Sequence, residues 1–335
     1  RLQRATMQAN PVRAYGVASG VIGFLFLYTY LHAKPQLKGV SFSTVAGFFD
    51  HHTDASEMES FFAQAPDDPK FGLILPTFKD LHDKIEGLKA NGNKVKVLYL
   101  LRHAEGYHNA KEKELNNKKL WWDVEGRKED YIDADLNPAG IRQSEELSGR
   151  LGTAAELGIR FDHIITSPLR RAVRTAGIGF NLTEDRVSNM LAYYKALTQK
   201  KATAIELARE TTGQLTCDKR LPSSKLSKIF PWVDYSDIEE NDSMWKADYR
   251  ETVPEKRARV KKFLEWLWGN EHLGIHDYIV ISTHSGWINA ILRELNVIDG
   301  SSKWKPANAQ MMGLVIRMDP QDDSNDSKQN RDQEL

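Results

Sequence analysis

Three stretches of the chain are mostly apolar and stop at polar residues. They are Lys94–His103, Asp162–Pro168 and Asp277–His284. Short runs rich in β-branched residues predict strands that are buried on both faces of a sheet. The run Met312–Met318 predicts a further strand, at the edge of that sheet.

Amphipathic segments with helix-start signals follow these strands. Asn137 and Pro138 open one of them, because Asn supplies a cap oxygen and Pro suits the first turn. Further helices are predicted from Leu169, over Pro254–Asn270 and over Gly286–Leu295. Strands that alternate with helices predict a parallel or mixed sheet covered by helices on both faces.

The two ends of the chain differ from this α/β pattern. In the N-terminal segment, residues 1–39, the uncharged run Tyr15–Leu31 lies between basic residues. We expect a single-pass membrane anchor or uncleaved signal there, with the main domain lumenal in the secretory pathway. A cleaved signal peptide, a mitochondrial presequence and a buried core helix are the alternatives, and the core helix would suit a cytoplasmic protein. Residues 40–319 form the predicted catalytic domain, and the polar tail, residues 320–335, is predicted to be disordered.

Charge and cysteine content exclude several classes of protein. Lys and Arg number 46, as do Asp and Glu, so the net charge is zero and we expect no nucleic-acid partner. The one cysteine, Cys217, excludes an internal disulfide and a cysteine-rich zinc site. No metal site is predicted, since His51 and His52 lack further ligands at metal spacing.

Polar groups gather where the three predicted strands end. Arg102 and His103 end the first strand, Ser167 and Arg171 follow the second, and His284 follows the third. Carboxyl ends of strands line the ligand crevice of an open α/β sheet. Arg offers a planar fork that matches phosphate oxygens, and His can bind phosphate or attack phosphorus. These positions therefore predict a site for a phosphate group.

The same residues carry a family resemblance. LLRHAEGYHN, TSPLRRAVRTA and STHSG resemble the three signatures of the histidine phosphatase (phosphoglycerate mutase-like) superfamily, in the family's order. Four further segments resemble this family, with similarity closest to its fungal phosphomutase-like branch: Ser43–Phe49, Asp135–Gln143, Leu207–Arg220 and Met244–Thr252. The resemblance covers residues 43–318. It implies a three-layer α/β/α fold with a mostly parallel central sheet.

The resemblance also implies catalytic roles. His103 would attack phosphorus and form a phosphohistidine. Glu210 would protonate the leaving oxygen and then activate water, a role that needs a raised pKa. Glu206 lies one helical turn away and is the alternative acid. His284 would complete the catalytic pocket.

Phosphate binding is implied for Arg102, Asn109, Arg171 and His284. The two Arg and two His residues would supply the positive charge, so no metal and no cofactor is expected. Arg170 would point away from the pocket. Ala104 departs from the family, which usually has Gly after the nucleophile, and it fits only if its φ is negative.

These roles lead to one main function and two alternatives. We expect a metal-independent phosphomonoester hydrolase that acts on a small phosphorylated substrate. A phosphoglycerate mutase-type phosphotransferase and a catalytically weak phospho-ligand binding protein are the alternatives. Trp121 and Trp122 either pack within a flap or cap the substrate pocket. The sequence carries no signal for the oligomeric state or the identity of the substrate.

Overall fold

The computed structural model describes residue 37 and residues 39–50, 68–182, 202–299 and 304–320. The predicted anchor Tyr15–Leu31 and the polar tail beyond residue 320 lie outside the described residues, and both stay predictions. Within the described ranges, no helix has the length and apolar character needed to cross a bilayer.

A seven-stranded sheet forms the centre of the fold. Its strands are β1 (Val40–Thr44), β2 (Lys94–Arg102), β3 (His163–Thr166), β4 (Ala202–Ala204), β5 (Val233–Asp234), β6 (Tyr278–Thr283) and β7 (Met311–Pro320). Their order is β1-β7-β2-β6-β3-β4-β5. The five strands β2, β3, β4, β5 and β6 pair with one another in parallel. Strand β7 runs antiparallel to both β1 and β2. The mostly parallel sheet is therefore confirmed.

Helices cover this sheet on both faces. They are α1 (Phe78–Ala90), α2 (Tyr107–Leu115), α3 (Lys118–Asp123), α4 (Pro138–Glu156), α5 (Arg170–Gly179), α6 (Ser223–Ile229), α7 (Val253–Gly269) and α8 (Ser285–Glu294). Short 3-10 turns lie at Glu125–Arg127, Glu129–Tyr131, Glu206–Ala208 and Thr216–Asp218.

Alternate side chains of each central strand enter two separate hydrophobic cores. On β2, Val97 and Tyr99 pack with residues of α1, α4 and α5. Leu98 and Leu100 point to the opposite face and pack with α7 and α8. Successive strand residues face opposite sides of a sheet, so one buried run supplies both cores. This arrangement confirms a three-layer α/β/α fold.

The predicted edge position of the last strand is wrong. β7 lies inside the sheet, between β1 and β2. The five residues of β1, Val40–Thr44, pair along its outer side and take the edge. Because β1 is short and half-buried, VSFST lacks the apolar run that marked the other strands. Met312 and Leu314 are fully buried, as suits an interior strand.

The predicted helix starts are confirmed, within one residue of the expected positions. Asn137 Oδ1 accepts a hydrogen bond from Gly140 N at 2.8 Å and caps α4. At the start of α7, Thr252 and Glu255 cap each other's backbone, with Pro254 in the first turn. These caps fix where α4 and α7 begin, and α7 carries a lysine of the candidate site.

Candidate active site

The carboxyl ends of β2, β3 and β6 meet at one place, as the sequence predicted. His103 N donates to Thr283 O at 2.9 Å, and Ser167 N donates to Ser282 O at 2.8 Å. These bonds continue the parallel pairing one residue past each strand and hold the polar residues side by side. Above them opens a cavity of about 720 Å³.

Basic side chains outnumber acidic ones along the walls of this cavity. Arg102, Arg171, Arg250, Lys256, Arg293 and Lys305 are among the lining residues. Anions gain most from cations that are partly removed from water, because the local dielectric constant is lower there. The cavity is therefore suited to an anionic ligand.

His103 lies at the floor of the cavity with one ring nitrogen committed. Its Nδ1 is 2.7 Å from Ala104 O. A carbonyl oxygen can only accept, so Nδ1 carries the hydrogen and Nε2 carries the lone pair in the neutral ring. Nε2 makes no hydrogen bond with any residue that the structure describes. This tautomer is the one that a nucleophilic imidazole needs.

The surroundings keep His103 neutral. Burial and the positive charges of Arg171 and Arg102 hold the pKa of His103 well below its usual range. Neutral imidazole is the form with a free lone pair, so the nearby cations keep His103 in the state that is able to act as a nucleophile.

His284 lies beside His103 but does not line the cavity. The two ring centroids are 5.0 Å apart, and His284 is completely buried. Its Nε2 lies 2.8 Å from Ser167 Oγ, while Nδ1 is buried without a hydrogen-bond partner. The phosphate-binding role of His284 stays a prediction, and in this structure the ring packs against the nucleophile.

Arg102 and Arg171 both line the cavity, as predicted. Arg102 Nη1 donates to Pro306 O at 2.6 Å. Arg171 is almost fully buried, and its Nη1 and Nη2 donate to Cys217 O at 2.5 Å and to Asp218 Oδ1 at 2.9 Å. In both residues Nε is buried and has no hydrogen-bond partner within the described ranges. Each guanidinium is thus held in place and keeps an N–H group that has no partner among the described residues.

One buried carboxylate, Asp218, holds two of the cavity's arginines. Its Oδ1 accepts from Arg171, and its Oδ2 accepts from Arg250 Nη1 at 2.7 Å. Arg250 also donates to Gly213 O at 2.7 Å. Sequence reasoning missed both Asp218 and Arg250. Asp218 is part of the CDKR run in the family-like segment, but no local pattern indicates its two partners.

Glu210 reaches the cavity next to the start of α8. Its carboxylate accepts from Thr211 N at 2.8 Å and from Gly286 N at 3.2 Å. A Cβ at Gly286 would lie 2.0 Å from Glu210 Oε1, so only glycine lets the carboxylate approach this closely. The predicted acid is therefore in the site. Glu206 is not among the lining residues and instead pairs with Arg209 and Arg220.

The pKa of Glu210 is lowered, not raised as its predicted role requires. Burial favours the neutral carboxyl, but Lys256, the Thr211 amide, Arg250 and the Gly286 amide outweigh burial and hold the pKa of Glu210 at about 2. Lys256 lies on α7, and its Nζ donates to Thr211 Oγ1 at 2.7 Å. Lys256 is a second cation that sequence reasoning missed.

The first turn of α2 brings two neighbouring polar side chains to the cavity. Asn109, which was predicted, accepts from Gly106 N at 3.1 Å through its Oδ1. This bond caps the helix and leaves the amide nitrogen of Asn109 for a ligand. His108 also lines the cavity, although no role was predicted for it. Its ring centroid is 5.8 Å from that of His103.

The residues that depart from the family pattern fit the structure. Ala104 is fully buried and does not have a positive φ, and its N–H donates to Thr175 Oγ1 at 2.9 Å. The methyl group therefore introduces no backbone strain. Arg170 does not line the cavity and donates to Asp133, which agrees with its expected direction.

Trp121 and Trp122 differ in burial, and each fits one of the two expected roles, packing within a flap or capping the pocket. Trp121 is buried, packs edge-on against Tyr131 and belongs to a small core beside Leu215. Trp122 is 36% exposed and lies under the Arg250 guanidinium, 5.1 Å from it. Both line the cavity, so the flap packs through Trp121 and presents Trp122 at the cavity wall.

Comparison with known proteins shows the family to which the chain belongs. The family model for histidine phosphatase superfamily (branch 1) matches residues 98–185. Phosphoglycerate mutase-like protein 1 of Arabidopsis thaliana is 35% identical over 217 residues, which is 61% of this chain and 73% of that protein. The chain belongs to the histidine phosphatase superfamily. Members of this superfamily include phosphatases and phosphoglycerate mutase-like proteins, so the resemblance stated from the sequence is confirmed.

Fungal relatives are found as well. A probable phosphoglycerate mutase of Saccharomyces cerevisiae is 30% identical over 217 residues, which is 60% of this chain and 72% of that protein. Among solved structures, phosphoglycerate mutase from Bacillus anthracis aligns with a TM-score of 0.41 and 16% identity, over 67% of this chain and 88% of that one.

Within the described residues, no group of three or more His, Cys, Asp or Glu side chains could hold a metal ion. Among the polar residues that line the cavity, arginines, lysines and histidines outnumber the four acidic residues Glu112, Glu210, Asp218 and Glu251. This donor set suits a phosphoryl group, because it offers several N–H groups around one neutral nucleophile.

Proposed function

We propose that this histidine phosphatase superfamily member is a metal-independent phosphomonoester hydrolase that works through a phosphohistidine at His103. The observation that carries the proposal is the hydrogen bond from His103 Nδ1 to Ala104 O, which leaves the Nε2 lone pair beside a cation-lined cavity. A cavity of about 720 Å³ suits a small phosphorylated substrate.

In the first half-reaction, the His103 Nε2 lone pair attacks phosphorus, and the bond from phosphorus to the leaving oxygen breaks. Nδ1 keeps its hydrogen, so the phosphorylated ring is positively charged and remains bound to the Ala104 carbonyl. Glu210 gives the leaving oxygen a proton that it has gained from solvent. The negative charge of bound phosphate favours this protonation, because a nearby anion raises the pKa of a carboxyl.

In the second half-reaction, a water molecule attacks phosphorus, and the bond from phosphorus to Nε2 breaks. Glu210 accepts the proton of that water, and phosphate leaves neutral His103 behind. Arg102 and Arg171 would stabilise the equatorial oxygens, where negative charge lies in a loose phosphoryl-transfer transition state. Removal of one such preorganised donor typically costs ~10²–10³ in kcat.

The test is hydrolysis of an aryl phosphate by the full chain in buffer that contains a chelator. The wild type, His103→Ala and His272→Ala are compared, the last because His272 is an exposed histidine that does not line the cavity. We expect turnover in the wild type and His272→Ala, and a loss of roughly 10⁴-fold or more in His103→Ala. Equal rates in all three proteins would refute the proposal.

A phosphoglycerate mutase is the second candidate, because relatives carry that name. A mutase returns the phosphoryl group to a second hydroxyl and needs a bisphosphate primer. Phosphoglycerate is therefore offered with and without primer, and products are separated. Free phosphate as the main product supports hydrolysis, whereas primer-dependent formation of the isomer supports a mutase.

A further inference from the structure

His108 is a buried histidine of the cavity for which the reaction above has no use. It is 7% exposed, lines the cavity and belongs to the first turn of α2. Its ring centroid lies 5.8 Å from that of His103. The charges of Arg171, Arg102 and Glu210 all act on it, and these three residues line the same cavity.

The ring of His108 has no hydrogen-bond partner within the described residues. Nδ1 is fully buried and unpaired, and Nε2 makes no hydrogen bond there either. A buried donor without a partner destabilises the folded protein, so we expect the ring hydrogen on the nitrogen that is not enclosed. An unpaired donor costs more than an unpaired weak acceptor, and we therefore assign the hydrogen of the neutral ring to Nε2.

The orientation of this ring is fixed by a close approach to the preceding turn. A Cβ at Gly106 would lie 2.8 Å from His108 Nδ1, so the ring packs against the bare backbone of Gly106. Nδ1 is thereby enclosed, and the Nε2 side of the ring is the one left to meet a ligand. The AEGYHN segment thus builds a histidine position with a defined direction.

We propose that His108 is a further catalytic residue, which donates a hydrogen bond from Nε2 to an oxygen of the phosphoryl group on its way to His103. This inference rests on the proposed function, because it needs phosphoryl transfer to His103. Burial and the cations Arg171 and Arg102 hold the pKa of His108 well below its usual range. A neutral ring adds a donor to the cavity without another positive charge that would bind product phosphate more tightly.

The test compares full-chain variants in the aryl phosphate assay. His108→Phe keeps a ring and removes both nitrogens, while His108→Gln restores an N–H near the position of Nε2. Tyr107→Phe is the matched control, since Tyr107 is the preceding residue of α2, is 56% exposed and does not line the cavity. We expect His108→Phe to lower kcat/KM by ~10², with most of the loss in kcat. His108→Gln should recover at least about a tenth of wild-type kcat/KM, and Tyr107→Phe should match the wild type.

Vanadate binding to the wild type tests the same contact when His108→Phe fails to fold. In the full chain with ¹⁵N-labelled histidine, the His108 signal is identified by its absence from the His108→Gln spectrum. Saturating vanadate should shift the His108 Nε2–H signal downfield, as a new hydrogen bond to an anion does. An unchanged His108 signal, or a His108→Phe kcat/KM within about threefold of wild type while His103→Ala is inactive, overturns the inference. Activity in His103→Ala would instead overturn the proposed function itself.

Discussion

Histidines and basic groups lie at both ends of the same parallel strands, but at the carboxyl end several of them line a cavity with ring or guanidinium nitrogens that are unpaired within the described residues. At the amino end, Lys96 is buried and donates to Gly274 O at 2.7 Å and His276 O at 2.6 Å. His163 Nε2 lies 2.9 Å from Thr203 Oγ1, and its ring stacks on His276. These polar groups are occupied by the protein's own atoms.

At the carboxyl end, the same residue types are held in place but only partly satisfied. His103 Nε2, His108 Nε2 and the Nε atoms of Arg102 and Arg171 make no hydrogen bond with the described residues. Positions of this kind cost stability, and they persist where a ligand supplies the partner. Residue type alone does not distinguish a structural cluster from a candidate active site in this fold; the two differ in the hydrogen bonds already made and in their position at the cavity.

The largest expected effect comes from replacing one histidine at each end of the strands and comparing the two variants. His103→Gln removes the nucleophile, and we expect kcat/KM to fall ~10⁴-fold or more while the thermal midpoint stays close to the wild type. His163→Gln should keep kcat/KM within about threefold and change stability instead. Steady-state kinetics and thermal unfolding of both variants check this. Loss of turnover in His163→Gln with a folded protein would break the comparison.

A smaller effect is expected from the carboxylate that holds the cavity's arginines. Asp218→Asn removes the charged acceptor of Arg171 and Arg250, and misplaced guanidinium groups should lower kcat/KM by ~10–10². The matched control is Asp135→Asn, since Asp135 binds Arg174 through two hydrogen bonds of 2.7 Å and does not line the cavity. Similar kinetics in the two variants would show that Asp218 does not position the phosphate site.

Lys256 should set the acid limb of the pH–rate profile. Its ammonium helps to hold the pKa of Glu210 at about 2, so Lys256→Met should raise that pKa. Glu210 must be ionised to activate water, and activity would therefore begin to fall at a higher pH than in the wild type. Lys261→Met is the control, because Lys261 is exposed on the same helix. An acid limb that does not move in Lys256→Met would argue against this role of Glu210.

The smallest effect concerns stability at the amino end of the strands. Burial and His276 lower the pKa of His163 to about 4, so the folded state keeps this ring neutral. As the pH falls from about 6.5 towards 4, the unfolded chain binds a proton that the folded chain does not, and the free energy of unfolding decreases. His163→Gln should remove part of this dependence in denaturant titrations. The lowered pKa values of His103, His108 and His284 supply the part that remains.

The sequence was most informative where function follows a long buried strand. β2, β3 and β6 were predictable, because each is an apolar run that stops at polar residues. The same runs located His103, Arg171 and His284. By contrast, β4 and β5 have three and two residues, which is too short to show a period, and β1 is half-buried. These strands form through pairing with neighbours that are distant in the sequence.

The missed site residues share a physical reason. Arg250 and Lys256 come from a segment without a local signature, and they reach the cavity only through contacts with Asp218, Glu210 and Thr211. The lowered pKa of Glu210 could not be anticipated either, because the sequence does not show that Lys256 and Arg250 lie beside it. His108 was within a recognised motif, but its unpaired ring becomes apparent only when its surroundings are known.

The central claim is that His103 Nε2 carries the phosphoryl group during turnover, and direct trapping tests it. The full-length wild type and His103→Gln are mixed with phosphate-labelled substrate, quenched within milliseconds in alkali, and digested for mass spectrometry. The account predicts a phosphoryl group on His103 that is stable in alkali and lost in acid, and none in His103→Gln. Turnover by the wild type with label on another residue, or with no labelled protein at any time, would contradict it.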